Sequence, residues 1–193
     1  MIPDRRLCSW FVVFAAMVVA LSPVPARAAS DISDIAVNVV KDGSVIHVEV
    51  DCPVNAPRAV VWDVLTDYDH MTQFISNLEK SIVRMRLGDR LQVFQKGKAT
   101  RGPLSFAFEN VREVELVPQT EIRSRMITGD AMPAEFTTRI EERNGKVHIL
   151  HTGKYTPNVW VPPVVGPSLI QQETRRQYAE IREEILRRVA GPK

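Results

Sequence analysis

Hydrophobic and polar residues alternate with a period of two along much of the chain. In 44–52 every second residue is apolar, and Cys52 has the same parity as Ile46, Val48 and Val50. Such alternation is typical of a strand with one buried face. The pattern predicts strands over 35–40, 44–52, 80–87, 90–98, 104–117, 120–128, 136–143 and 146–155. Short turns join most of them, among them Asn144-Gly145, a strong hairpin signal, so we expect an antiparallel sheet.

Helical spacing appears in two other regions. After Pro53, a helix is predicted over 57–66, with Asn55 as its cap and Pro57 in its first turn, and a second short helix starts at Asp67 and includes Met71. Residues 163–193 form one predicted amphipathic helix begun by a proline. Its apolar positions are Ile170, Tyr178, Ile181, Ile185 and Val189. Glu184 and Arg188, four residues apart, indicate a solvated outer face.

The order of these elements predicts an α+β fold. A long helix that follows a run of antiparallel strands rests naturally on the concave face of their sheet. That arrangement tends to leave a cavity between helix and sheet, so we expect a cavity-forming binding domain.

The first 28 residues have the features of a secretory signal peptide. Arg5 and Arg6 precede an apolar run over 7–21, and Ala26-Arg27-Ala28 has the form of a cleavage site. An uncleaved membrane anchor is the alternative, although the run is shorter than the ~20 residues of a spanning helix. We therefore expect residues 1–28 to be removed, residues 29–193 to form one domain, and the protein to be periplasmic.

Charge and cysteine content exclude some functions. The formal net charge of the whole chain is +2. It becomes zero without residues 1–28, because that segment holds Arg5, Arg6, Arg27 and Asp4. No basic surface for nucleic acid is expected. Cys52 is the one cysteine after the leader, and its parity predicts a buried structural thiol.

Three segments resemble the START-like, or birch-allergen-like, helix-grip superfamily (SRPBCC). Residues 56–70, APRAVVWDVLTDYDH, resemble its opening motif, and Phe74 falls at its F-[IV]-P element, with Ser76 replacing the proline. Residues 160–167, WVPPVVGP, resemble secreted bacterial members of the polyketide cyclase/dehydrase and coenzyme Q-binding branch. The resemblance implies a curved antiparallel sheet around a long C-terminal helix, with two short helices after the first main strand. It also implies ligands such as lipids, isoprenoid quinones or polyketide-like rings.

Strand parity selects the side chains that would line a cavity. In 104–117 the even positions are apolar except for Asn110 and Arg112. An inward arginine is costly unless paired. Either a bulge near Asn110 turns Arg112 outward, which we favour, or both residues orient the polar end of a ligand. The predicted ligand-binding residues are Leu91, Val93, Phe106, Phe108, Asn110, Arg112, Met126, Phe136, Thr138, His151, Tyr155, Trp160, Tyr178 and Ile181.

Catalytic signals are weak. His151 is the inward histidine, and a satisfied core histidine competes with a role as a ligand contact or general base. His148 has the opposite parity, so the two histidines make a poor metal site. Trp160 lies in a proline-rich loop, where core packing, a lid over the cavity and a membrane contact remain open. No phosphate loop, G-x-S-x-G, HExxH or CxxC motif occurs.

These features together predict binding or carriage of a hydrophobic small molecule, without a cofactor or metal. A cyclase/dehydrase-type enzyme that uses His151, Tyr155 or Arg112 in the same cavity is the first alternative. A protein-interaction module is the second. The expected partners are the small molecule and, transiently, a membrane surface.

Overall fold

A computed structural model describes residues 32–101, 104–158 and 166–191, with the side chains of 99–101 and 104–106 left out. The predicted leader, Trp160 and the side chain of Phe106 therefore lie outside the described residues.

The described strands form one curved antiparallel sheet. They are β1 Ala36–Asp42, β2 Val45–Val54, β3 Leu78–Leu87, β4 Arg90–Arg101, β5 Leu104–Val117, β6 Glu121–Gly129, β7 Ala131–Arg143 and β8 Lys146–Pro157. Their order is β1-β2-β8-β7-β6-β5-β4-β3, so β1 and β3 are the edges. With a C-terminal helix on the sheet, this is the predicted α+β helix-grip fold.

The predicted alternation holds across the sheet. Ile46, Val48, Val50 and Cys52 are all buried. Asn144 and Gly145 both have positive φ, at 52° and 74°, as the tightest hairpin turns require. β2 extends beyond its predicted end to Val54. Pro53 is tolerated there because β1 begins opposite Asp51 and leaves the following part of β2 without a neighbour on that side.

The short helices differ from the prediction at their starts. Helix α1, Arg58–Leu65, begins after Pro57, and no side chain caps it, so Asn55 is not the cap. The second is a 3-10 helix, Tyr68–Gln73, at whose start the Asp67 carboxylate binds side chains rather than backbone N–H groups.

The C-terminal helix α2, Gly166–Val189, lies over the inner face of the sheet. Tyr178, Ile181 and Ile185 are buried as predicted, whereas Val189 is exposed. The prediction that the helix continues to residue 193 is wrong, because Gly191, with φ of 76°, takes the left-handed conformation that commonly ends a helix. The predicted solvent exposure of Glu184 is wrong as well, because its side chain is buried.

Polar side chains fix α2 to both edges of the sheet. On the β1 side, Gln171 donates to the carbonyl of Val37 at 2.5 Å. On the β3 side, Glu180 accepts from the backbone N–H of Ser76 at 3.1 Å. Near the end of the helix, Glu184 binds Arg188 at 2.7 Å.

Within the described residues no helix is long and apolar enough to cross a membrane.

Candidate functional site

The inner face of the sheet is covered unevenly. At the end formed by the β5–β6 and β7–β8 turns, helix α1 is fixed by Arg58, which donates to the carbonyl of Ile140 at 2.6 Å. The inner-face residues there are all buried: Val114, Leu116, Ile122, Ile140 and Ile149. At the opposite end, near the β6–β7 turn and the start of α2, the inner-face residues are half-buried: Phe108, Asn110, Arg112, Met126, Phe136 and Tyr155. We call this second region the open end.

Arg112 points inward at the open end. Its Nη2 donates to Oε1 of Gln95 on β4 at 2.7 Å. The guanidinium also lies 5.7 Å from the ring centroid of Tyr68. Gln95 in turn donates to Oγ of Ser81 at 3.0 Å. A buried series of side-chain hydrogen bonds, from Arg112 through Gln95 to Ser81, therefore connects the open end to edge strand β3.

The predicted bulge exists but does not turn Arg112 outward. The register between β5 and β6 shifts after Val111, which pairs with Thr128, to Arg112, which pairs with Met126. The additional residue is Ile127, on β6. Because β5 itself has no inserted residue, its even positions stay on the inner face. The favoured sequence interpretation, that Arg112 leaves the interior, is therefore wrong.

Two polar atoms at the open end are buried without a hydrogen-bond partner among the described residues. They are Oδ1 of Asn110 and Nε of Arg112. Buried polar atoms are normally satisfied, and an unmade hydrogen bond costs about 1–3 kcal/mol. These atoms are the ones that the polar end of a bound molecule could satisfy.

His151 on β8 and Thr138 on β7 lie beside these polar atoms. Nδ1 of His151 is 2.9 Å from Oγ1 of Thr138. The imidazole stacks on Phe136, with ring centroids 5.8 Å apart, and lies 5.7 Å from the ring of Tyr178 on α2. Burial, and secondarily the positive charge of Arg112, lower the pKa of His151 to about 4. The imidazole is therefore uncharged at neutral pH.

The aromatic lining lies against glycines. A Cβ at Gly153 would come 2.5 Å from Cδ1 of Phe136, and a Cβ at Gly97 would come 2.5 Å from Cζ of Phe108. Each glycine sits directly opposite its aromatic residue on the neighbouring strand. Glycine in a strand often marks such a close approach. Phe136 also lies 6.0 Å from Tyr155 between ring centroids, so the lining is aromatic and continuous from β7 to β8.

The other predicted lining residues are deeper. Leu91 and Val93 are buried completely, and Tyr178 and Ile181 are covered by the sheet. Burial raises the pKa of Tyr155 to about 12 and shifts the pKa of Tyr178 upward, so both phenols are neutral. The side chains of Phe106 and Trp160 are not among those that the structure describes.

Cys52 and His148 do not belong to the candidate site at the open end. Burial raises the pKa of the Cys52 thiol to about 12, in keeping with a structural thiol. His148 faces outward, with Nδ1 2.6 Å from the carboxylate of Asp51. Within the described residues, no three His, Cys, Asp or Glu side chains are grouped to hold a metal ion.

Sequence reasoning missed two residues that contact Arg112, namely Gln95 and Tyr68. Gln95 has the parity of Leu91 and Val93, so a polar residue at an inward position was a usable signal. Tyr68 offered no signal, because a short helix brings it to Arg112 only in the folded chain.

Two open grooves lie on the outer face of the sheet instead. Their volumes are about 240 and 530 Å³. The larger is lined largely by charged residues, including Glu113, Arg123 and Arg125. Such a lining offers an apolar ligand little to pack against, so the open end of the inner face is the better candidate site.

Several solved structures share this fold. A protein from Thermus thermophilus aligns with a TM-score of 0.63 and 18% identity over 76% of this chain and 99% of its own. The Zhui aromatase/cyclase from Streptomyces sp. R1128 aligns with a TM-score of 0.65 and 17% identity over 77% and 99%. A START superfamily protein from Mycobacterium smegmatis gives a TM-score of 0.61 and 12% identity over 73% and 97%.

The sequence comparisons identify the family. A comparison with curated proteins gives no significant match. The family described as "Polyketide cyclase / dehydrase and lipid transport" matches residues 54–182, a span that includes α1, most of the sheet and most of α2. Because this match spans more than half of the chain, the protein belongs to the polyketide cyclase/dehydrase and lipid transport family.

Proposed function

We propose that the protein binds a hydrophobic small molecule between the inner face of the sheet and α2, with its polar end toward Asn110 and Arg112. The observation that carries the proposal is the pair of buried, unpartnered atoms, Oδ1 of Asn110 and Nε of Arg112, beside a half-buried aromatic lining. Apolar surface with a few convergent polar groups is the usual composition of a small-molecule site.

The two parts of the lining have different roles in binding. Burial of the apolar part of the ligand against Phe136, Met126 and Phe108 supplies about 25 cal/mol per Å² of surface removed from water. The polar atoms orient the ligand in different ways, because Nε of Arg112 can donate a hydrogen bond to a ligand oxygen, whereas Oδ1 of Asn110 can accept one from a ligand hydroxyl or amide. The family description, which includes both lipid transport and cyclisation, supports a hydrophobic ligand. Lipids, isoprenoid quinones such as coenzyme Q, and polyketide-like rings fit this requirement.

A cyclase/dehydrase-type reaction is the second candidate. The contact of His151 with Thr138 supports it, as do Tyr155, which packs on the same Phe136 ring as His151, and the aromatase/cyclase name of a structural neighbour. A neutral His151 with a pKa of about 4 is a proton acceptor of low strength, so a reaction would rely on positioning as much as on basicity. His151→Ala should abolish turnover but spare ligand uptake if the protein is an enzyme. A carrier would lose at most some affinity.

Export to the periplasm belongs to the same proposal. It is supported by the basic start, the apolar run and the Ala26-Arg27-Ala28 site of the leader. In the periplasm the protein would carry its ligand to or from a membrane surface by transient contact. Cell fractionation and the intact mass of the exported chain test this, since cleavage before Ala29 removes the first 28 residues.

Native mass spectrometry of the protein purified from its own cells, followed by lipid extraction, is the decisive experiment. A copurifying hydrophobic molecule is the expected result. In parallel, the neutral fluorescent probe N-phenyl-1-naphthylamine should bind to the delipidated protein.

A matched pair of variants locates the site. Met126→Trp fills the open end from the inner face, and Ile127→Trp places the same bulk at the neighbouring exposed position. The first variant should lose probe binding by about tenfold or more, whereas the second should bind within about twofold of the parent. Equal binding by both folded variants would place the ligand elsewhere and reject the proposal. A protein-interaction module would bind no probe at all.

A further inference from the structure

We infer that the preferred ligand is anionic, an amphiphile whose negatively charged end, such as a carboxylate, pairs with Arg112. This inference rests on the proposed function, and it adds the charge of the ligand.

Every group described around Arg112 is uncharged. Gln95 on β4 accepts one of its hydrogen bonds, and the ring of Tyr68 lies against the guanidinium. Met126 is its partner on β6. His151 on β8 and Tyr178 on α2 are also within electrostatic range. The imidazole and the phenols are neutral at pH 7, so none of these neighbours balances the charge of Arg112.

The carboxylates of the neighbouring elements are engaged elsewhere or face away. On α2, Glu173 accepts from Asn77 at 2.8 Å, and Glu180 accepts from Ser76 at 2.5 Å. Glu184 is paired with Arg187 and Arg188. On β5 itself, Glu113 faces outward and pairs with Arg125 at 2.8 Å. On the 3-10 helix that carries Tyr68, Asp67 pairs with His70 and Arg188, and Asp69 accepts from the backbone N–H of Val83 at 2.7 Å. Among the described residues, none of these carboxylates forms an ion pair with Arg112.

The segments nearest the open end in sequence add no acid either. Residues 102–103 are Gly-Pro, and residues 159–165 read VWVPPVV. The side chains left out at 99–101 and 104–106 also include no aspartate or glutamate.

A partly buried cation without a counterion is costly, and it is stabilised when an anion enters the same low-dielectric space. Nε of Arg112 is buried and unpartnered, so it has a hydrogen bond to donate to that anion. A charge-assisted hydrogen bond is stronger than one to a neutral oxygen. A neutral ligand of the same shape would leave the charge of Arg112 uncompensated.

The test compares dodecanoate with dodecanol as competitors of N-phenyl-1-naphthylamine at about pH 8, where the carboxylic acid is ionised. We expect dodecanoate to displace the probe from the parent protein at a concentration about tenfold or more below that of dodecanol. Arg112→Gln should reduce this preference to less than about twofold, and Arg112→Lys should retain most of it. Arg125→Gln, which removes a cation from the outer face, is the matched control and should keep the full preference.

The outcomes separate this inference from the proposed function. Equal displacement by the two compounds in the parent protein, or an unchanged preference in a folded Arg112→Gln variant, overturns the inference and leaves hydrophobic binding intact. Failure of both compounds to displace a bound probe also overturns it. If the probe itself does not bind, the proposed function fails and the inference fails with it. Circular dichroism of each variant establishes that it is folded.

Discussion

Thr138 and His151 face each other across β7 and β8, and the hydroxyl of Thr138 lies 2.9 Å from Nδ1 of His151. This contact holds the imidazole against the ring of Phe136 and beneath α2. The histidine is thus placed where protonation is unfavourable, with a cation nearby and little solvent.

The first prediction concerns the pH dependence of stability. Burial and Arg112 lower the pKa of His151 from 6.5 to about 4, so between these values the unfolded chain binds a proton that the folded chain does not. The contribution is fully present above about pH 6.5 and is lost as pH falls toward 4. The loss amounts to about 2–3 kcal/mol. Urea unfolding at pH 7.5 and at pH 4.5 measures it.

His151→Asn should lose less stability on acidification than the parent by about that amount. His47→Asn is the control, because His47 is exposed on the outer face. Identical pH profiles for the parent and His151→Asn would contradict the placement of the imidazole.

The second prediction concerns the contact of Phe136 with Gly153. In Gly153→Ala the new methyl group would lie 2.5 Å from Cδ1 of Phe136, so the ring or the strand must move. We expect a loss of about 1–3 kcal/mol in the free energy of unfolding. The double variant Phe136→Ala/Gly153→Ala should be more stable than the sum of the two single effects predicts, because the clash is gone. Strict additivity in urea unfolding would argue against the contact.

The third prediction concerns the docking of α2. Ile181 is 8% exposed and packs into the core, so Ile181→Asp places a carboxylate between helix and sheet. Because burial of an unpaired charge is so unfavourable, the variant should not fold at room temperature. Leu186→Asp, at a position that is 37% exposed, should change stability by less than about 1 kcal/mol. Thermal melting monitored by circular dichroism distinguishes the two. A folded Ile181→Asp protein would mean that α2 is not docked at this position.

The fourth prediction concerns Trp160, which lies outside the described residues. If its apolar loop is a lid, Trp160→Ala should weaken binding of N-phenyl-1-naphthylamine by about fivefold to tenfold without changing stability. Trp62→Phe, in α1 at the opposite end of the sheet, is the control and should leave affinity unchanged. Unchanged affinity and stability in Trp160→Ala would reject the lid.

Much of this protein follows from its sequence. Alternation sets which residues of each strand face inward, because successive side chains in a strand point to opposite faces. It correctly placed Val48, Thr138 and His151 on the inner face and His148 on the outer one. Turn chemistry marked the hairpins, and Asn144-Gly145 shows the predicted conformation. These are local properties of the chain, so they can be read without the tertiary structure.

The tertiary structure decided how these elements meet. The sequence indicated a bulge near Asn110 on β5. The bulge lies on the neighbouring strand β6, at Ile127, because register is a property of two strands and not of one. Glu184 is buried because of the position in which α2 docks. In that position Arg188 of α2 reaches Asp67, a residue 121 positions away in the sequence. Likewise, the neutral surroundings of Arg112 come from separate elements, β4, β6, β8, α2 and the 3-10 helix. The sequence alone determined the residue types and the face that each occupies, whereas long-range packing decided which charges lack a partner.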